Sequence, residues 1–351
     1  MKRVTAQLIL EDGTTYSGYS FGALAGTTGE VVFATGMVGY PEALTDPSFK
    51  GQILNLTYPL VGNYGVPEGP FESNTIQVQG LIVQDYSEEY SHSEAVQSLG
   101  EWLAKHDIPA IYGIDTRAVT KKLREHGVML GQIVIGGEKP KRKIEDPNER
   151  NLAAEVSVTE PQEYGSGDKT IIAVDCGMKE SILDNLIARG VKVKRVPWDY
   201  DYTNEEWDGL FISNGPGDPK KAKATIKYMK KALETKKPIF GICLGSQIMA
   251  LAAGAKTYKM KYGHRSQNQP CVSEEDGRCY LTTQNHGFAV KEDSIPTGWK
   301  LSWKNANDNT VEGIAHTRKP HFSVQFHPES TPGPEDTTFL FDTFIDLVNE
   351  Q

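Results

Sequence analysis

The sequence predicts an α/β protein in two parts: a C-terminal doubly wound, mostly parallel sheet, preceded by a β-rich α+β N-terminal domain. Three observations carry that expectation. Beyond residue 169, short apolar runs alternate with helix-length amphipathic stretches, as in a parallel sheet with helices on both faces. Before residue 150, β-like runs succeed one another between Gly, Pro and Asn turns. Between these regions, KPKRKIEDPNER and EPQEYGSGDK bracket a short LAAEVSV and are polar and broken by Pro and Gly, which marks a domain junction. The expected division is 1–150 for a structural or partner-contacting N-terminal domain, 151–168 for a linker and 169–351 for the α/β domain.

Taken in order, residues 4–10 and 14–19 read as a hairpin around Asp12-Gly13. GEVVFAT, GQILNLTY and TIQVQGLIV follow as further strands. A helix is expected over Glu94 to His106 and another over Thr116 to His126, the second ended by Gly127. In the second half the expected order is a strand from Thr170 to Val174, a helix from Ser181 to Arg189, and strands from Val191 to Val196 and Gly209 to Ser213. A helix from Lys220 to Leu233, a strand from Pro238 to Ile242 and a helix reaching Ala253 complete the alternation.

Composition excludes several classes. A hydrophobic share of 38% with 24% charged residues is ordinary for a chain that buries a sizeable core, and 351 residues suit two domains. A net charge of −9 supplies no basic excess to displace phosphate counterions, so nucleic acid is not the expected partner. No run of 18 apolar residues exists, and MKRVTAQLILEDG lacks the apolar core of a secretory leader, so neither a membrane span nor a signal is expected. Cys176, Cys243, Cys271 and Cys279 make neither a disulfide framework nor a C-x-x-C metal pair, which fits a reducing cytoplasm. His264, His316 and His321 have no carboxylate or thiol at ligand spacing and read as structural or surface residues, with no metal expected.

The chemistry concentrates at KKPIFGICLGSQIMALAA. Cys243 stands where the strand meets the helix, with Gly241 and Gly245 two residues away on each side, a G-x-C-x-G version of the nucleophile elbow. The positive end of a helix dipole favours thiolate over thiol. Alone, such a cysteine would read as a small buried hydrophobe. A second β-like run near the C-terminus ends in His327-Pro328-Glu329. Proline biases the residue before it towards extended backbone, and side chains two apart then share a face, so Glu329 can orient the His327 ring. Cys243 as nucleophile, His327 as base and Glu329 as orienter make a triad. The loop Ser213-Asn214-Gly215-Pro216-Gly217-Asp218-Pro219 lacks the Lys-Ser/Thr of a P-loop. It suits an oxyanion hole, with the Gly217 N–H joining that of Leu244; a plain strand-to-helix turn is the other reading.

GICLGSQ with a downstream HPE resembles the triad-bearing class I glutamine amidotransferases. Together with NGPGDP, Gln284-Asn285-His286-Gly287-Phe288-Ala289 and the N-terminal LTDPSFKGQILNLTYPLVGNYG, it resembles the small-subunit family of carbamoyl-phosphate synthase, from about residue 5 to 345. The resemblance implies hydrolysis of L-glutamine to glutamate and ammonia. The ammonia would pass to a large synthetase subunit that makes carbamoyl phosphate from bicarbonate and ATP, for arginine or pyrimidine biosynthesis. It implies a heterodimer, with ATP and Mg on the large subunit and no cofactor in this chain. It also implies glutamine contacts at Ser48, Gly215, Gly217, Leu244, Gln247, Asn285, Gly287 and Phe288. Read from the residues alone, Ser48 is a turn serine, and Asn285 and His286 could equally be turn residues. Three departures from the family pattern stand out: Ser246 where histidine is usual, Tyr262-Gly263-His264-Arg265-Ser266-Gln267-Asn268, and the Cys, Glu and Ser of Asp175-Cys176-Gly177-Met178-Lys179-Glu180-Ser181. A stand-alone glutaminase or peptidase of the same fold would share the triad without needing the N-terminal region. A silent regulatory subunit would lose the nucleophile or base, and both are present.

Overall fold

A computed structural model describes residues 3–69 and 71–351 and resolves the chain into two compact units that meet between Arg150 and Asn151. Met1, Lys2 and Pro70 lie outside the described residues, and with them the start of the stretch read above for a leader. Among the described residues, no helix is long and apolar enough to cross a membrane.

In the first unit, β1 (Thr5–Leu10), β2 (Thr15–Ser20), β3 (Thr27–Ala34), β4 (Gln52–Leu56), β5 (Gly80–Ile82), β6 (Ala110–Tyr112) and β7 (Met129–Ile135) close into a barrel in the order β1-β7-β3-β4-β5-β6-β2. Closure depends on β1 pairing with β7, Ala6 opposite Ile135, across most of the unit's length. Alternate residues Ala6, Leu8 and Leu10 point inwards to a cluster with Val31, Ile53 and Ile111, as the two-residue strand period requires. Helix α1 (Tyr40–Thr45) precedes β4. Helix α2 (Leu99–Lys105) begins later than the expected Glu94, because Ser98 and Glu101 form a reciprocal capping box and residues 95–97 are extended. Helix α3 (Thr116–His126) keeps its expected bounds: the Asp115 side chain accepts from the Ala118 N–H, and Gly127 follows at φ 99°. Its Val119 and Leu123 pack on the barrel cluster.

The expected linker is not a linker. Residues 152–156 form helix α4 (Leu152–Val156), and β8 (Gln162–Tyr164) adds an antiparallel edge to the second sheet, Glu163 opposite Lys194. Both elements are short and polar on their outer sides, so the sequence alone disguises them as connection.

The second unit then runs β9 (Thr170–Asp175), α5 (Glu180–Ile187), β10 (Lys192–Pro197), β11 (Gly209–Ile212), α6 (Lys223–Ala232), β12 (Ile239–Ile242) and α7 (Leu244–Ala253). After these come β13 (Thr257–Ser273), β14 (Cys279–Val290), β15 (Trp299–Asn305), β16 (Val311–His316), β17 (His321–Val324) and α8 (Phe339–Asn349). The ten described strands are ordered β8-β10-β9-β11-β12-β17-β16-β14-β13-β15. From β10 to β17 the pairings are parallel; from β17 onwards, and at β8, they are antiparallel. The expectation of a mostly parallel sheet therefore holds for its central half only. Asn285 and His286 lie within β14, not in a turn, because Asn285 pairs opposite Arg265 and His286 opposite His264. The parallel strands are buried on both faces by two apolar clusters, one with Phe211, Phe240, Phe341 and Phe344, the other with Ile172, Leu210, Ile212 and Ile248.

Candidate active site

Cys243 links β12 to α7 and is held at φ 53°, ψ −104°, a left-side backbone that costs a residue with a Cβ on the order of 1–3 kcal/mol. Packing forces it there. A Cβ on Gly241 would lie 2.8 Å from the Gly245 backbone, and one on Gly245 would lie 2.2 Å from the Ile212 carbonyl oxygen. The two glycines let the turn close between β11 and the first turn of α7. The Cys243 N–H donates to the Val324 carbonyl at 2.8 Å, tying the elbow to β17. Its Sγ lies 3.7 Å from the Asn285 carbonyl oxygen.

β17 ends at Val324, and the chain then turns to bring His327 against β14, its N–H donating to the Thr283 carbonyl at 2.8 Å. His327 Nδ1 is 2.6 Å from Glu329 Oε1, while Nε2 has no hydrogen-bond partner among the described residues. Burial opposes a charge on the ring. The Glu329 carboxylate and then the Cys243 sulfur outweigh it and raise the pKa from 6.5 to about 10. Glu329 is likewise buried, but Lys179 and the imidazole hold its carboxyl down to about 2. With one ring nitrogen committed to a carboxylate and the other uncommitted near a sulfur, the group can carry a proton to and from a thiol-bound intermediate.

The Glutamine amidotransferase class-I family model matches residues 172–347, and the Carbamoyl-phosphate synthase small chain, CPSase domain model matches residues 8–133. The chain belongs to the class-I glutamine amidotransferase family. It is 51% identical, over 97% of its length, to the multifunctional protein pyr-3 of Neurospora crassa. It is 52% identical, over 98%, to the multifunctional protein CAD of Squalus acanthias. It is 48% identical, over its full length, to the mitochondrial carbamoyl-phosphate synthase [ammonia] of Homo sapiens. The chain spans only 21%, 16% and 24% of those relatives respectively.

Within the amidotransferase unit, the expected oxyanion loop packs on the elbow. A Cβ on Gly215 would sit 2.9 Å from Leu244 Cδ2 and 2.1 Å from the Cys176 carbonyl oxygen, so this position has no room for a side chain. Gly217 is at φ 84°. Gln247 is buried and its amide N–H groups donate to the Phe288 carbonyl at 2.9 Å and to Gln325 Oε1 at 3.0 Å; it holds β14 to α7. Asn285, Gly287 and Phe288 lie together on that strand. Ser48 belongs to the first unit, in a single 3₁₀ turn (Pro47–Phe49), where its N–H donates to Asp46 Oδ1 at 2.8 Å. Ser246 is buried and paired with Ser323 of β17 at 2.9 Å.

The most informative residue was missed. Lys179 is 2% exposed, and its ammonium donates to Glu329 Oε1 at 3.1 Å and to the Ser330 and Thr331 carbonyls at 2.8 and 2.9 Å. Those partners lie about 150 residues downstream, so only the fold makes it a site residue.

The reading of His264 also needs correction, since a carboxylate does cluster with it. Its Nδ1 is 3.3 Å from Glu312 Oε1 and its Nε2 is 2.9 Å from Asp308 Oδ2, and burial is outweighed by these two carboxylates so that its pKa rises to about 9. His264, His286 and Glu312 make the one set among the described residues whose ligand atoms, all within 4.8 Å, could hold a metal. A proton held by two carboxylates competes for the lone pair that a metal would need. His286 is fully buried and its pKa is pushed well below 6.5. His316 and His321 pack around Trp299, with ring centroids 5.2 and 6.4 Å away. Of the four thiols, Cys176, Cys243 and Cys271 are buried and Cys279 is exposed.

Proposed function

We propose that this chain hydrolyses L-glutamine and delivers the ammonia to a carbamoyl-phosphate synthetase large chain. The observation that carries the reading is the juxtaposition of Cys243, on its strained elbow and against Asn285 of β14, with a His327 ring that is anchored on Thr283 of the same strand, feels the Cys243 sulfur and has its other nitrogen held by Glu329. The Cys243 thiolate attacks the side-chain amide carbon, and the oxyanion forms against the N–H groups of Leu244 and Gly217. Protonated His327 gives its proton to the leaving ammonia, then, neutral, takes one from the water that cleaves the thioester to glutamate. Gly215, Gln247, Asn285, Gly287 and Phe288 frame the substrate. Glycine-loop N–H and carbonyl groups meet the carboxylate and ammonium of a free amino acid without a dedicated ion pair.

Ammonia that reaches bulk water at neutral pH is protonated and loses its nucleophilicity, so a partner should receive it directly. The family-model match over residues 8–133 supports a synthetase large chain as that partner. The reading puts ATP and Mg on that chain, with bicarbonate as co-substrate. We place the reaction in the cytoplasm, on the free cysteines.

The test is Cys243→Ser with the synthetase chain present. Glutamine-dependent carbamoyl phosphate synthesis should fall by ~10⁴ or more, while synthesis from added ammonium persists. Loss of both would make the cysteine structural. Full glutamine turnover by the isolated chain, unaffected by the partner, would favour the stand-alone glutaminase instead.

A further inference from the structure

The turn between β9 and α5 touches both sides of the candidate site. Met178 and Gly177 precede Lys179, whose ammonium reaches Glu329, and the Lys179 N–H donates to Asn214 Oδ1 at 3.2 Å. The Cys176 N–H donates to Ser213 Oγ at 2.9 Å, so the same turn also buttresses the loop that begins at Ser213.

One residue fixes the turn's shape. Asp175, the last residue of β9, is fully buried; its Oδ1 accepts the Gly177 and Met178 N–H groups at 2.7 and 2.8 Å. Its Oδ2 accepts Arg195 Nε at 2.7 Å and the Val158 N–H at 3.2 Å. Arg195, on β10, reaches Glu180 Oε1 with its other arm at 2.8 Å. Carboxylates that accept backbone N–H groups fix a turn as firmly as a helix cap does, and a buried one needs a cation beside it. The Asp175 carboxylate faces Arg195, with Cys176 as the neighbouring titratable group. Glu329 in turn faces Lys179 and His327.

We propose that Asp175, neutralised by Arg195, is a positioning residue that acts through Lys179: it shapes the turn that aims the ammonium at Glu329 and thereby governs the protonation of the Glu329–His327 pair. This rests on the function proposed above and deepens it. Neither residue touches substrate; their effect reaches the chemistry by a backbone turn and one buried ammonium.

The experiment measures glutamine hydrolysis against pH for the chain assembled with its synthetase partner, comparing wild type, Asp175→Asn, Lys179→Met and the double variant. With Lys179 displaced, the Glu329 carboxyl loses the cation that holds it low, so the acidic limb of kcat should move to higher pH by a unit or more. Asp175→Asn should show the same shift, together with a fall in kcat of about tenfold to a hundredfold. In the Lys179→Met background it should add less than about threefold. Arg195→Lys, which keeps the charge but loses the fork, should give a smaller shift in the same direction and serves if Asp175→Asn does not fold. A lower kcat with an unmoved acidic limb and losses that multiply in the double variant would overturn the proposal and leave Asp175 a structural residue. Absence of turnover in the wild type would instead overturn the function itself.

Discussion

Two buried histidines in the second unit are each held by a buried glutamate, and they teach opposite lessons. His327 beside Glu329 and His264 beside Glu312 both have pKa values raised, to about 10 and about 9. The histidine shifts are alike, but the carboxylates and the geometry are not: Lys179 and the imidazole hold the Glu329 carboxyl low, whereas burial raises that of Glu312. His264 sits between two carboxylates, hydrogen-bonded through Nε2 to Asp308 at 2.9 Å and with Nδ1 3.3 Å from Glu312. His327 spends one nitrogen on its carboxylate and keeps the other free near a sulfur. A perturbed pKa therefore marks a buried ion pair, and only an uncommitted nitrogen beside a nucleophile marks a place for chemistry.

The largest effect should come from breaking the first pair. Glu329→Gln removes the strongest influence that raises the His327 pKa and the acceptor that orients its ring, so kcat for glutamine should drop by on the order of 10⁴ in a steady-state assay. Ammonium-dependent synthesis should be untouched. Next, Lys179→Met should reduce kcat by roughly ten- to a hundredfold, the scale of one lost hydrogen bond to a charged group.

The second pair should respond in stability instead. Glu312→Gln should lower unfolding free energy in urea by about 3–5 kcal/mol, the scale for removing one partner of a buried ion pair, while kcat changes by less than tenfold. The smallest effect is a pH dependence. Since the folded His264 pKa is raised from 6.5 to about 9, its pairing stabilises fully below about pH 6.5 and is lost as pH climbs through about 9. His264→Gln should flatten the stability curve between those limits, and a curve unchanged in that window would show that the ring carries no extra proton.

The contrast also explains what could be read from the sequence. The parallel half of the sheet declares itself through continuous apolar strands separated by amphipathic helices, and the elbow through its two glycines. His327 and Glu329 are two residues apart and extended, so their pairing is local information. The antiparallel half is different. β13 is 17 residues long, polar over much of its length and broken by two register shifts against β14, so no clean period-2 signal survives. The polarity follows from packing, since His264, Arg265 and Ser266 of β13 are buried opposite His286, Asn285 and Gln284 of β14. Glu312 and His264 are brought together only by that half of the sheet, and Lys179 meets Glu329 only once α5 and the segment after β17 have docked. In the first unit, the strands could be read one by one, but barrel closure depends on β1 finding β7 over 120 residues away.

The burial of the thiols bears on how this protein can be probed. Cys279 faces solvent while the other three are enclosed, so a bulky maleimide would consume Cys279 first, and total labelling would report a surface strand with no bearing on the nucleophile. A Cys279→Ser background would leave a small haloacetamide with one sulfur at the elbow as its foremost target, and glutamine would compete for it.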